Sequence, residues 1–283
     1  MPELPDLLYM LPRLQAGLRG RRVTAVEVRQ PVVLRSFIDR PPSDILPGLQ
    51  FTAVSLRGPF IRLATDGRVD IVINLMLAGR LQLQEPGTNA LGHCCLSLTL
   101  DDGVRLNLCD DEKMAKVYIV RSDEASAVPR FGAQGVDVLS AAFTEDLFVT
   151  LAGRHRRKQV RVFINDHSIL SAIGNAYADE ILFEAQVHPK TLVASLTPDQ
   201  LGALFRAIPR TLAWGAAAVR DAAQPIHVKV RDHMRVRNRH GAPCPRCGTT
   251  IRREGVRGRD VYFCPSCQPA TRRHFIDWRT AGA

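Results

Sequence analysis

The sequence predicts an α+β protein, and three observations carry that prediction. Residues 21–120 alternate short β-branched runs with turns, the chain from about 144 carries helical periodicity, and the C-terminal stretch holds two Cys-x2-Cys pairs. A length of 283 residues fits roughly two domains of about 100–200 residues each. The expected limits are 1–130 for the β-rich part, 131–222 for the helical part and 223–283 for a loop with the cysteine module.

Taken in order, residues 4–19 read as a helix, with Pro12 expected to kink it because proline lacks the amide donor. The runs VTAVEVRQPVVL, FTAVSLRG, IRLATDG, VDIVINLML, GRLQLQ, CCLSLTLDDG and VRLNL read as strands. Asp-Gly at 66–67 and Asp-Asp-Gly at 101–103 fit hairpin turns. Many short strands in succession predict an antiparallel sandwich or barrel. Further on, TEDLFVTLAG, QVRVFIND, AYADEILFEAQ and TPDQLGALFRAIPRTLAWGAAAVRD read as helices, with Thr144 and Thr197 as N-caps. Residues 222–240 read as a loop feeding a strand.

The net charge is +10, from 38 Lys and Arg against 28 Asp and Glu. The excess concentrates in RHRRKQVR (154–161), VRDHMRVRNRH (230–240) and IRREGVRGR (251–259). Such clustering favours a polyanion, because cations that neutralise phosphates release counterions and gain affinity. No apolar run of about 18 residues marks a membrane span. The N-terminus has no basic lead into an apolar stretch, so a secretory signal is not expected and the expected location is cytoplasmic, on the nucleoid.

Seven cysteines fall into two groups. Cys94, Cys95 and Cys109 lie in apolar, strand-like surroundings and read as small buried hydrophobes. Cys244, Cys247, Cys264 and Cys267 form two knuckles separated by sixteen residues, the spacing of a tetrahedral Zn²⁺ site. Four thiolates close the coordination sphere, so one structural zinc is expected, with a β-hairpin between the knuckles. In SAIGNAYADEILF, Gly174-Asn175 breaks a helical pattern before a fresh helix. That is a helix–turn–helix whose free backbone N–H groups suit a phosphate.

MPELPD at the start, IGNAYADE in the middle and CPRCG with GRDVYFCPSCQ at the end occur in that order. Together they resemble the formamidopyrimidine-DNA glycosylase / endonuclease VIII family over nearly the whole chain. The resemblance implies a β-sandwich with flanking helices, then a helical domain carrying a helix–two-turn–helix and the zinc finger. It implies a monomer that binds double-stranded DNA containing a damaged base or abasic site, excises the base and cleaves the strand. With Met1 removed, Pro2 matches the nucleophile, a secondary amine that attacks the sugar C1′. Glu3 matches the acid that protonates the sugar ring oxygen. Asn175 and Arg259 match residues that clamp the phosphates beside a flipped-out nucleotide. Glu180 matches a structural acid, and Met76 matches one residue that fills the gap left by the flipped base. Arg161, ending the first basic run, is a further candidate DNA contact.

The chain also departs from the pattern. Asp6 stands where glutamate is usual, one methylene shorter. LRGPFIRL puts Pro59 where a lysine would contact phosphate, with Arg57 and Arg62 on either side. In CDDEKMAK, Glu112 falls where an arginine would pair with the orphaned base, and Met114 where a phenylalanine would stack. Lys113 and Lys116 are candidates for the missing positive charge. These departures leave two alternatives beside the glycosylase: a weakly catalytic or non-catalytic binder of damaged DNA, and an enzyme for bulky, alkylated or cross-linked bases.

Overall fold

The computed structural model describes residues 2–270. Helix α1 (Leu4–Leu18) buries Leu7, Met10, Leu14 and Leu18, an i, i+3, i+4 stripe that faces the sheets. Pro12 lies on its exposed side and the helix runs through it unbroken. The Arg13 guanidinium donates to the Tyr9 carbonyl at 3.1 Å in the same stretch.

Nine strands follow: β1 (Val23–Val28), β2 (Leu34–Ser36), β3 (Phe51–Arg57), β4 (Phe60–Thr65), β5 (Val69–Asn74), β6 (Arg80–Gln84), β7 (Cys94–Leu100), β8 (Arg105–Cys109) and β9 (Lys116–Arg121). They form one five-stranded sheet, in the order β2-β9-β5-β4-β3, and one four-stranded sheet, β1-β7-β8-β6. A single apolar cluster takes Leu63, Ile71 and Ile73 from the first sheet, Leu81, Leu98 and Leu106 from the second, and the buried stripe of α1. This is the expected sandwich. The run predicted over 23–34 breaks at Gln30-Pro31, because proline cannot donate to the ladder, so β1 and β2 enter different sheets. None of the predicted runs covers β9, although its Val-Tyr-Ile-Val centre has strong strand character. A short helix α2 (Pro42–Ile45) lies between β2 and β3.

The helical part starts with a two-residue strand β10 (Val136–Asp137), which pairs in parallel with β11 (Leu170–Ser171). Its helices are α3 (Glu145–Arg154), α4 (Val160–Ile164), α5 (Asn175–Glu184) and α6 (Pro198–Asp221). Thr144 caps α3 by accepting from the Leu147 amide at 3.3 Å. Thr197 and Gln200 cap α6 reciprocally at 3.2 and 3.0 Å. Phe143, Phe148 and Phe205 stack into the core with ring centroids 5.1–5.9 Å apart. The last elements, β12 (Arg252–Val256) and β13 (Arg259–Phe263), form the antiparallel hairpin expected between the cysteine knuckles.

The described chain divides into two compact units, Met1–Gln134 with Ala216–Val230, and Gly135–Gly215 with the residues from Arg231 on. The division falls inside α6, after Gly215. Glycine is required there, since a Cβ would come within 2.1 Å of the buried Tyr177 ring. No described helix is long and apolar enough to cross a membrane.

Candidate functional site

In the first unit, Pro2, Glu3 and Asp6 are all buried at the head of α1. Glu3 is the N-cap. Its amide donates to the Asp6 carboxylate at 2.7 Å while its own carboxylate accepts from the Asp6 amide, a reciprocal capping box. The aspartate therefore reaches its partner despite being a methylene shorter than glutamate. The box fixes the direction in which the chain leaves the helix, and so fixes Pro2. Met1 lies outside the described residues.

Pro2 and Asp6 line a small cavity together with Leu75, Arg80, His227 and Lys229. Lys229 Nζ donates to the Leu77 carbonyl at 2.8 Å, holding the 226–229 segment over this cavity. Arg80 pairs with Asp111 at 2.7 Å, and its Nε is buried without a hydrogen-bond partner among the described residues. Burial and the Arg80 charge lower the His227 pKa, so the ring is neutral at pH 7. Sequence reasoning missed Arg80, His227 and Lys229. Two of them sit in a loop without periodicity, and only their basic character gave a signal.

Pro59 sits in the two-residue turn between β3 and β4, after Gly58 at φ 56°. The flanking arginines do not take over the missing lysine's place. Arg57 donates to the Phe131 and Gly132 carbonyls, and Arg62 is paired with the buried Asp70 and donates to the Ser122 carbonyl. Met76 (φ 48°) follows β5 in a turn closed by the Asn74 side chain at 3.0 Å. The 110–115 loop is built on Asp110, wholly buried, whose carboxylate accepts from the Glu112 amide at 3.0 Å and the Ala115 amide at 2.7 Å. That leaves Glu112, Lys113 and Met114 exposed on the loop's rim. Lys116 opens β9 opposite Asn74.

In the second unit, Asn175 is the first residue of α5, with Gly174 as its cap. Arg161, expected at the DNA surface, is instead in the interior, its side chain 3% exposed. Its Nε donates to Asp179 at 3.0 Å and its Nη2 to Asn175 Oδ1 at 3.1 Å. A buried guanidinium engaged in this way orients the Asn175 side chain. Asp179 also accepts from Arg237 at 2.8 Å, and Arg237 donates onward to the Asp260 carbonyl at 2.9 Å. Burial pushes the Asp179 and Glu180 carboxyls up, opposed at Asp179 by the two arginines and at Glu180 by backbone N–H bonds. Glu180 accepts from the amides of Arg235, Val236 and Arg237 at 2.9–3.2 Å, tying the loop that leads to the ribbon onto α5. Arg259 begins β13, exposed and without an ion-pair partner among the described residues.

The four ribbon cysteines bring their sulfurs within 4.8 Å of one another. Neighbouring S···S distances are 3.5–3.9 Å, close to the roughly 3.8 Å edge of a tetrahedron with Zn–S bonds of about 2.3 Å. Arg246 and Cys267 amides donate to the Cys244 and Cys264 sulfurs at 3.4 Å, as knuckles do around a thiolate. The residues fit a structural zinc with no open coordination position. Cys94, Cys95 and Cys109 are buried in β7 and β8, as expected of small hydrophobes.

A sandwich headed by a buried Pro-Glu pair, followed in the chain by a helical unit with a Gly-Asn helix start and a four-cysteine ribbon, defines an α+β class with three recognisable parts, and each part matches a known domain. Residues 1–117 match the formamidopyrimidine-DNA glycosylase N-terminal domain, 134–226 its H2TH domain, and 241–270 the zinc finger found in FPG and IleRS. The formamidopyrimidine-DNA glycosylase of Pelotomaculum thermopropionicum is 30% identical, over 95% of this chain and 99% of its own. That of Chloroflexus aurantiacus is 32% identical, over 95% and 98%. The crystal structure of MutM (Fpg) from Thermus thermophilus superposes with a TM-score of 0.83 at 28% identity, over 95% of this chain and all of that one. A Lactococcus lactis Fpg solved with abasic-site DNA shares the fold, with a TM-score of 0.85 at 20% identity. The chain belongs to the formamidopyrimidine-DNA glycosylase family.

Proposed function

We propose that the protein excises damaged bases from double-stranded DNA and cleaves the abasic strand, with Pro2 as nucleophile once Met1 is removed. The observation that carries this reading is the Pro2-Glu3 terminus, buried and fixed by the Glu3–Asp6 capping box in a cavity lined with basic groups. A terminal secondary amine titrates near neutrality and is nucleophilic when uncharged. The amine attacks C1′, the C1′–base bond breaks and its electron pair leaves with the base, and the proton lost from the amine nitrogen neutralises the departing base anion. Glu3 gives a proton to the ring oxygen as the C1′–O4′ bond opens, which leaves an iminium between Pro2 and C1′. Loss of a C2′ proton then expels the 3′ phosphate. Asn175, oriented by Arg161, and Arg259 on the zinc hairpin supply phosphate contacts in this reading. Zinc takes no part in the chemistry; it holds the hairpin.

Borohydride trapping tests the mechanism on purified protein with Met1 removal confirmed by mass and an abasic-site oligonucleotide. A covalent adduct that disappears in Pro2→Gly is expected. Pro59, with Arg57 and Arg62 both engaged elsewhere, favours the second reading, a DNA-damage binder with little turnover. Tight binding with no adduct would establish that binder. Glu112 and Met114 on the rim, in place of an arginine and a phenylalanine, favour a shift toward bulkier bases, which a lesion panel reads directly. The working location is the nucleoid and the working state a monomer.

A further inference from the structure

A second concentration of positive charge lies within the second unit. Arg157, Gln159, Lys190, Leu192, Val256 and Arg257 line an open cavity of about 560 Å³, with no acidic residue in its wall. Lys190 is neutralised by Glu254 at 2.6 Å. Arg157 and Arg257 have no ion-pair partner among the described residues, whereas Arg161, Arg235, Arg237 and Arg246 of the same unit are all paired. The walls are rigid. The 156–160 segment is pinned to 191–194 through bonds from the Val160, Val193 and Ala194 amides at 2.8–3.0 Å. Arg257 sits in the tight β12–β13 turn at φ 47°, a left-handed conformation held by the Val256–Arg259 pairing of the hairpin. Two guanidiniums without an ion-pair partner among the described residues line one concavity, the charge and geometry that suit an anion.

We propose that this cavity seats a backbone phosphate of bound DNA, beyond those met by Asn175 and Arg259. The inference rests on the DNA-binding reading above, and the hairpin supplies its geometry. Arg257 and Arg259 are two residues apart, so their Cα atoms lie no more than about 7 Å from each other. Successive phosphates of one strand advance about 3.4 Å along the duplex axis. A strand that meets Arg259 and runs toward the turn brings a neighbouring phosphate within reach of Arg257, which shares the cavity lining with Arg157. The basic run 154–158 continues along the adjoining surface basin, which gives the first basic stretch of the sequence a role.

The test measures dissociation constants against salt, on a duplex with a tetrahydrofuran abasic analogue and on an undamaged duplex. It uses wild type, Arg157→Gln, Arg257→Gln, the double variant and the matching lysine variants, each with its zinc content checked. Each glutamine should reduce the slope of log K against log salt by about 0.9, and the double variant by about twice that. The reduction should be alike on both duplexes, and lysine should restore it. An unchanged slope in the double variant overturns the proposal, as does a loss confined to the damaged duplex. A reduced slope in a protein that forms no borohydride adduct would uphold this site while defeating the enzymatic reading. An adduct with an unchanged slope would do the reverse.

Discussion

Pro59 stands where the sequence resemblance leads one to expect a lysine, and the Pro2 cavity is lined instead by Lys229, which also donates to the Leu77 carbonyl. Arg57 and Arg62 are committed to carbonyls and to Asp70. Lys113 and Lys116 lie on the 110–115 rim and the edge of β9, while Lys229 lines the Pro2 cavity itself. Lys229→Ala should therefore slow adduct formation on abasic DNA. A charged hydrogen bond is worth about 1.5–3 kcal/mol, so the loss should be roughly tenfold to a hundredfold. Lys113→Ala and Lys116→Ala are the comparison, and a larger loss in either would move the role to that residue. This substitution could not be read from sequence, because Pro59 and Lys229 are separated by most of the chain and nothing local to 226–229 marks it as part of the site.

At the scale of elements, legibility followed local chemistry. The caps Thr144 and Thr197, the α1 stripe and the β12–β13 hairpin are set by neighbours a few residues away, and all were readable. Strand β9 escaped because it follows an irregular loop, and α4 spans only Val160–Ile164, five residues of which Val160, Arg161, Phe163 and Ile164 are buried. The bonds that organise the N-terminal end of α5 are long-range in sequence. Asp179 joins Arg161, eighteen residues back, to Arg237, fifty-eight ahead, and so connects Asn175 to the strand that carries Arg259. Asp179→Asn would leave two guanidiniums without their counter-charge in the interior. Breaking a buried ion pair by removing one partner costs about 3–5 kcal/mol; a denaturant midpoint shift of that order is expected, with weaker binding to abasic DNA under native conditions. Unchanged stability would mean that Asp179 is held protonated by its burial and contributes no charge to the network.

For the whole molecule, the net charge of +10 supplies attraction to any duplex, but the fold decides where that attraction is spent. Much of the C-terminal excess is consumed in structure: Arg161, Arg235, Arg237 and Arg246 are all paired. Among the described residues, exposed arginines without an ion-pair partner lie both in the 154–157 run and on the hairpin between the knuckles, at Arg252, Arg257 and Arg259, so part of the DNA affinity is linked to zinc through folding. The ribbon's apolar contacts are few, with Phe183 and Val236 packed on Ile251, Tyr262 and the cysteines Cys244 and Cys264. Arg246 adds a bond to the Phe183 carbonyl at 3.1 Å, and Gln268 one to the Val187 carbonyl at 2.9 Å. So small a core does not hold a ribbon without its metal, whose binding contributes about 10–16 kcal/mol in comparable peptides. Chelation should therefore release one zinc per chain, melt the hairpin and lower abasic-DNA affinity by more than Arg259→Ala does, because Arg257 is displaced with it. The sandwich, built on its own core, should keep its β-sheet circular dichroism throughout. Full DNA affinity after complete zinc removal would show that the hairpin cations are not part of the binding surface.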